Sequence, residues 1–144
     1  FEKFDMHRSE AMDAALQLRK RACLAGRAEG CLKQGWMLSK AARHQEAAAI
    51  FERGCRFGSS VSCYRAGAVR EAGLGVAQDP AAAETFYEAG CALFYGNACA
   101  RRADLHLEGI VAKANRRRGA AILKEACDRG ISLACKERAR LDGR

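Results

Sequence analysis

Small and apolar residues return at fixed distances along this chain, and eight cysteines keep the register. They stand at 23, 31, 55, 63, 91, 99, 127 and 135, so each successive pair encloses seven residues. Eight and five residues before the first cysteine of each pair come Ala15, Ala47, Ala83 and Gly119, then Leu18, Ile50, Phe86 and Ile122. The residue just before that cysteine is Ala22, Gly54, Gly90 or Ala126. These offsets trace one stripe on an α-helix. Three residues after it stand Gly26, Gly58 and Gly130, each suited to ending a helix in the left-handed conformation, with Phe94 in the third unit. Small residues flank the second cysteine too: Gly30, Ser62, Ala98 and Ala134 before it, and Gly35, Gly67, Ala103 and Ala139 four residues after it. Each unit reads as helix, tight turn, helix.

The spans predicted are 9–25 and 29–41, 44–57 and 61–72, 80–94 and 97–108, and 116–129 and 132–142. They group into repeats of about 9–41, 44–72, 80–108 and 116–142 within one domain, 1–144. First cysteines recur at intervals of 32, 36 and 36 residues, inside the range of helical solenoids. The segment Gly73-Leu74-Gly75-Val76-Ala77-Gln78-Asp79-Pro80 is the strongest loop signal, with two glycines, an Asp placed to cap the next helix and a Pro suited to its first turn. Four residues of that loop are missing from the shorter connection around Ala41 to Gln45.

Composition agrees with an all-α class, because alanine, the best helix former, dominates the apolar set and β-branched residues are sparse. The 144 residues suffice for a buried core. No apolar run approaches the roughly 20 residues of a membrane-spanning helix. Lysine and arginine outnumber the acids by 25 to 17, a net charge of +8 that favours a partner with an acidic surface. A start at Phe1 is what a chain looks like after removal of an N-terminal segment such as a signal peptide or a lipid-anchor leader.

These residues resemble the Sel1-like repeat family, relatives of the tetratricopeptide repeat, and within it the helicobacter cysteine-rich proteins. The most specific stretch is Gly73-x-Gly75-Val76-x-x-Asp79 followed by Ala83, Phe86, Tyr87, Cys91 and Cys99. The resemblance implies an α/α superhelical solenoid of about four helix-turn-helix repeats in which Cys23 pairs with Cys31, Cys55 with Cys63, Cys91 with Cys99 and Cys127 with Cys135. The chain departs from the family pattern where leucine is usual, three residues after the second cysteine: Gln34, Ala66, Arg102 and Arg138. It departs again four residues further on, at Leu38, Arg70, His106 and Asp142. The second helices are therefore expected to expose unusually polar faces, with Arg70, Arg102 and His106 as candidates for a specialised surface.

On the residues alone, eight reduced core cysteines remain an alternative, since thiols pack as small apolar groups. Identical spacing in all four pairs favours bridges. Eight residues along a straight helix cover about 12 Å, beyond the roughly 7 Å limit on a disulfide's Cα atoms, so a turn must intervene. Four such short loops would contribute on the order of 10 kcal/mol. Zinc is disfavoured, with no C-x2-C present. Bridges place the chain in an oxidising compartment, the periplasm or the cell exterior.

No catalytic constellation emerges. His7, His44 and His106 are scattered and read as surface residues, and the Ser-x-x-Lys and Lys-Thr-Gly elements of β-lactam enzymes are absent. No cofactor or metal is expected. Arg116 to Arg118 and the tail Lys136, Arg138, Arg140 and Arg144 could meet phosphate, but read better as a solvated helix start and a polar terminal cap, so nucleic acid is disfavoured. Phe51 and Tyr87, each four before a first cysteine, are expected to pack between units. Trp36, Tyr64 and Tyr95 fall outside that stripe and, with Arg70, Arg102 and His106, are the candidate partner-binding residues. The function expected is a non-catalytic protein- or peptide-binding module, with an immunity or inhibitor protein against a secreted effector enzyme as its specific form. The alternatives are a protein that binds or hydrolyses β-lactams or peptidoglycan fragments, or an envelope adaptor on peptidoglycan.

Overall fold

A computed structural model describes residues 10, 11, 13–15, 18, 20–111 and 115–143. Helical residues 20–24 lead into seven helices: α1 Ala28–Lys40, α2 His44–Arg56, α3 Ser60–Ala72, α4 Pro80–Ala92, α5 Gly96–Leu107, α6 Arg116–Asp128 and α7 Ser132–Asp142. Each packs on the next in chain order, and no strand occurs among the described residues. The helical stretch at 20–24, α2, α4 and α6 are the first helices of their hairpins; α1, α3, α5 and α7 are the second.

Every hairpin turns in the same way. The residue three after the first cysteine takes a left-handed φ of +79° at Gly26, +93° at Gly58, +66° at Phe94 and +90° at Gly130. Its N–H donates to that cysteine's carbonyl, and the next N–H donates to the carbonyl just before the cysteine, as in Arg27 to Ala22 and Tyr95 to Gly90. This paired cap satisfies carbonyls that the helix end leaves open. It also brings the cysteines face to face, and all four bridges are formed, with Cα atoms 4.4–4.6 Å apart. Small residues beside the cysteines permit that approach: a Cβ on Gly90 would lie 2.8 Å from the Cβ of Ala98.

Between hairpins, size is matched across the contact. The ring of Phe51 on α2 lies over Gly35 of α1, where a Cβ would fall 2.4 Å from Cε1, and the ring of Tyr87 on α4 lies over Gly67 of α3 in the same way. At the next step the equivalent residues are Leu123 and Ala103, both buried. Phe51 and Tyr87 thus pack between units as expected. The smaller core gathers Leu38, Ala47, Phe51 and Ala66, and the larger includes Tyr87, Leu105, Ile122 and Leu123.

The long loop starts at Gly73, the C-cap of α3 with φ +73°, and ends with the Asp79 side chain accepting from Ala82 N–H ahead of Pro80. In the shorter first connection Ala42 takes the left-handed turn, at φ +60°.

Two expectations need correction. His106 is 2% exposed, not a surface residue, because it lies on the side of α5 that packs against α4. Leu18, on the apolar stripe, is 63% exposed, with no earlier hairpin among the described residues to cover it. His7 and Arg144 lie outside the described residues.

Candidate functional site

The six candidate residues do not form one cluster. At 100° per residue, positions one and five after the second cysteine lie nearly opposite positions three and seven on a helix. Tyr64 and Trp36 hold the first pair of positions, and Arg102, Arg70 and His106 the second, so the candidates fall on two faces.

On the outer face the Tyr64 ring meets Tyr95 edge-on at 5.5 Å and Tyr87 at 5.7 Å. The Arg65 guanidinium lies 5.8 Å from Tyr64 and 6.0 Å from Trp36, which is 42% exposed. Beside them Glu71 on α3 accepts from the Tyr87 hydroxyl at 2.8 Å and pairs with Arg101 on α5, which also reaches Asp104 at 3.3 Å. Burial, reinforced by the hydrogen bond to Glu71, pushes the Tyr87 hydroxyl far above the ordinary tyrosine range. Burial likewise raises the Asp104 carboxyl, with Arg101 opposing. The phenol therefore stays neutral and donates, which makes this network a tie between hairpins. Sequence reasoning missed it, because Glu71 and Arg101 are 30 residues apart and share no motif.

The other face turns toward the first helices. Arg70 reaches Glu52 on α2 at 2.6 and 3.0 Å. His106 Nε2 lies 2.6 Å from Glu84 on α4, and Arg102 lies 3.8 Å from both Glu84 and Glu88. Among the described residues His106 Nε2 hydrogen-bonds to Glu84, and its buried Nδ1 has no hydrogen-bond partner. The polar departures in the second helices are thus mostly turned inward, where polar contacts with first-helix glutamates replace the leucine packing they lack.

Between successive first helices two clefts open at the same register. The larger, about 420 Å³, has Gln34 and Leu38 of α1 on its floor, with Lys20 on one side and Arg43, Glu46 and Ile50 on the other. The smaller, about 130 Å³, repeats the arrangement two hairpins on: Arg102 stands in the place of Gln34, Glu88 in that of Lys20 and Ile122 in that of Ile50. Arg43 and Glu46 make a two-bonded pair at 2.7 and 2.9 Å, and the Arg43 hydrogen bond holds the Glu46 carboxyl below its usual range. Gln34 is 6% exposed, yet its Oε1 has no hydrogen-bond partner among the described residues; nor has the buried Nε of Arg102. Buried polar atoms are normally paired, so each such exception calls for a reason.

In the basic tail Arg140 pairs with Glu137 at 3.3 Å. Arg116 to Arg118 begin α6, where the Asn115 side chain accepts from the Arg118 backbone N–H at 2.7 Å. The described residues contain no group of His, Cys, Asp and Glu placed to hold a metal, and no described helix is long and apolar enough to cross a membrane.

No known family profile and no curated relative matches the chain. Solved structures do. A protective antigen of uropathogenic Escherichia coli displaying an SLR fold superposes with a TM-score of 0.75 at 15% identity over 88% of this chain. A Sel1 repeat protein from Oxalobacter formigenes gives 0.66 at 20% identity over 85%, and Helicobacter pylori cysteine rich protein B gives 0.64 at 23% over 88%. The chain spans 28% of the first, 51% of the second and 93% of the third. The resemblance carried by the cysteine register is thus matched in three dimensions, and the chain has the fold of the Sel1-like repeat solenoids.

Proposed function

We propose that this chain is a non-catalytic binding module that takes a protein or peptide along the groove between its first helices. The observation that carries this reading is the pair of clefts that open at one register between successive first helices. Successive hairpins in a solenoid build an extended surface of this kind, suited to macromolecules. Four bridges and the lack of a described membrane-spanning helix fit an oxidising compartment, the periplasm or the cell exterior. There the module acts as an immunity or inhibitor protein that occludes a secreted effector enzyme, with Arg102 lining the groove. Trp36, Tyr64 and Tyr95, on the outer face, serve a second contact or the stability of the array.

Affinity capture from periplasmic extract under oxidising conditions, and with the product of the adjacent gene, tests the reading. A stoichiometric partner held by the wild type and lost by Ile50→Arg is the expected result. A partner retained by that variant would move the site elsewhere, and repeated failure to capture any partner would defeat the proposal.

A further inference from the structure

The four hairpin turns, residues 24–27, 56–59, 92–95 and 128–131, meet along one edge of the array. Arg129 of the last turn donates to the carbonyls of Cys91 and Ala92 beside the third, at 3.3 and 2.9 Å. A Cβ on Gly90 would lie 3.3 Å from the Ser60 carbonyl next to the second turn, and one on Gly54 would lie 3.0 Å from the Cys31 Cβ next to the first. Each of the first three turns holds an apolar side chain out in solvent: Leu24, then Phe57, then Leu93 with Phe94. Phe94 is the most telling of them. It is 63% exposed at φ +66°, where the other turns carry glycine, and it stays that open with the Arg129 guanidinium 4.4 Å from its ring. A bulky residue held in the left-handed region without the return of burial points to a use outside the fold.

Charge on this edge is mainly positive. The turns hold Arg27, Arg56 and Arg129 against Asp128, which Lys124 binds at 2.9 Å. Glu29, just past the first turn, is bound by Lys33 at 2.9 Å. Arg27 and Arg56 are exposed and meet no acid among the described residues. Glu88 and Glu125 lie a turn back along their helices, in the smaller cleft with Arg102. A protein interface gathers its apolar area into a central patch inside a polar rim. Here apolar tips alternate with arginines along a line, an order that matches the boundary of a bilayer, where acyl chains take the tips and phosphates take the guanidinium groups. We propose that this edge docks on an anionic phospholipid surface, with Leu24, Phe57, Leu93 and Phe94 entering the boundary between headgroups and acyl chains and Arg27, Arg56 and Arg129 meeting the phosphates. The helices then stand end-on to the bilayer, and the groove between the first helices stays open at its side. This contact is independent of the groove as a partner site.

The test floats the oxidised full chain with vesicles of phosphatidylglycerol and phosphatidylethanolamine, and with vesicles of phosphatidylcholine alone. Flotation with the anionic vesicles and not with the neutral ones is the expected result. Phe94→Gly, which copies the other turns and so keeps the fold, should lower partitioning on the order of tenfold by removing one inserted ring. Arg56→Glu should lower it about as much, as one cation is lost and one anion gained beside the headgroups. Arg117→Glu makes the same change of charge at the end of α6 far from the turns, and should bind nearly as the wild type does. No flotation with the anionic vesicles would overturn the proposal, as would full binding by Phe94→Gly. Equal losses in Arg117→Glu and Arg56→Glu would reduce the effect to net charge and overturn it too. So would a dimer in lipid-free sedimentation that Phe94→Gly dissolves, since a second copy would then hold the apolar tips.

Discussion

Replacing Gly67 with alanine sets helix propensity against packing. Gly67 lies in the interior of α3, where alanine is favoured by about 1 kcal/mol on propensity alone. The new Cβ would fall 2.6 Å from Cε1, 2.7 Å from Cδ1 and 3.1 Å from Cζ of Tyr87. That ring cannot step aside: it is 1% exposed, its hydroxyl is tied to Glu71 and Tyr64 stands against it. Overpacking of this kind costs about 1–3 kcal/mol, so the net effect should be a loss of up to about 2 kcal/mol. For a chain of this length each kcal/mol moves the midpoint by about 2–4 °C. The decisive measurement is a double-mutant cycle with Tyr87→Leu, followed by thermal denaturation of the disulfide-intact protein. Tyr87→Leu recreates the smaller pairing of Leu123 over Ala103, so in that background Gly67→Ala should turn neutral or stabilising. Stabilisation of the otherwise unaltered protein by Gly67→Ala, at the full propensity value, would refute the argument from ring packing.

The bridges should yield to reductant in an order set by burial: Cys127–Cys135, with both residues partly exposed, before the buried Cys23–Cys31 and Cys91–Cys99, read by partial reduction, alkylation and mass spectrometry. Ala42→Gly should stabilise by about 1 kcal/mol, because alanine there sits at φ +60°. Phe94→Gly should gain less despite its φ of +66°, since it forfeits the Arg129 guanidinium 4.4 Å from the ring; urea midpoints of the two variants separate the effects. Glu46 is held below its ordinary value when folded, so the stability it lends is complete above the ordinary glutamate range and is lost as pH falls through the folded value. Thermal midpoints at about pH 6 and about pH 2.5 should therefore differ less in Glu46→Gln than in the wild type.

Much of the fold could be read from the chain because cysteine, glycine and alanine recur in register, and each has a local physical meaning. The helices fall within a few residues of their predicted ends, and Asp79 and Pro80 start α4 as read. The matching of Gly35 to Phe51 and of Gly67 to Tyr87 was also present in the pattern, as two stripes whose partnership became visible only when the hairpins were stacked. The groove was less legible. Polar residues at leucine positions suggested an exposed surface at His106, whereas Glu84 draws its ring inward. Whether a polar side chain on a second helix faces solvent or a first-helix carboxylate depends on a residue 18 to 22 positions away, as Arg70 with Glu52 and His106 with Glu84 show, and no local pattern specifies that choice. Gln34 gave no signal at all beyond its departure from leucine.

Every bridge closes within its own hairpin, and none joins one hairpin to the next among the described residues. Tension applied along such an array would part neighbouring hairpins at their packed faces while leaving each turn shut, since the chain enclosed by a sulfur link adds no length to the stretched molecule. The array would then pay out in steps shorter than its repeat period, and could re-stack from intact pieces when the load was released.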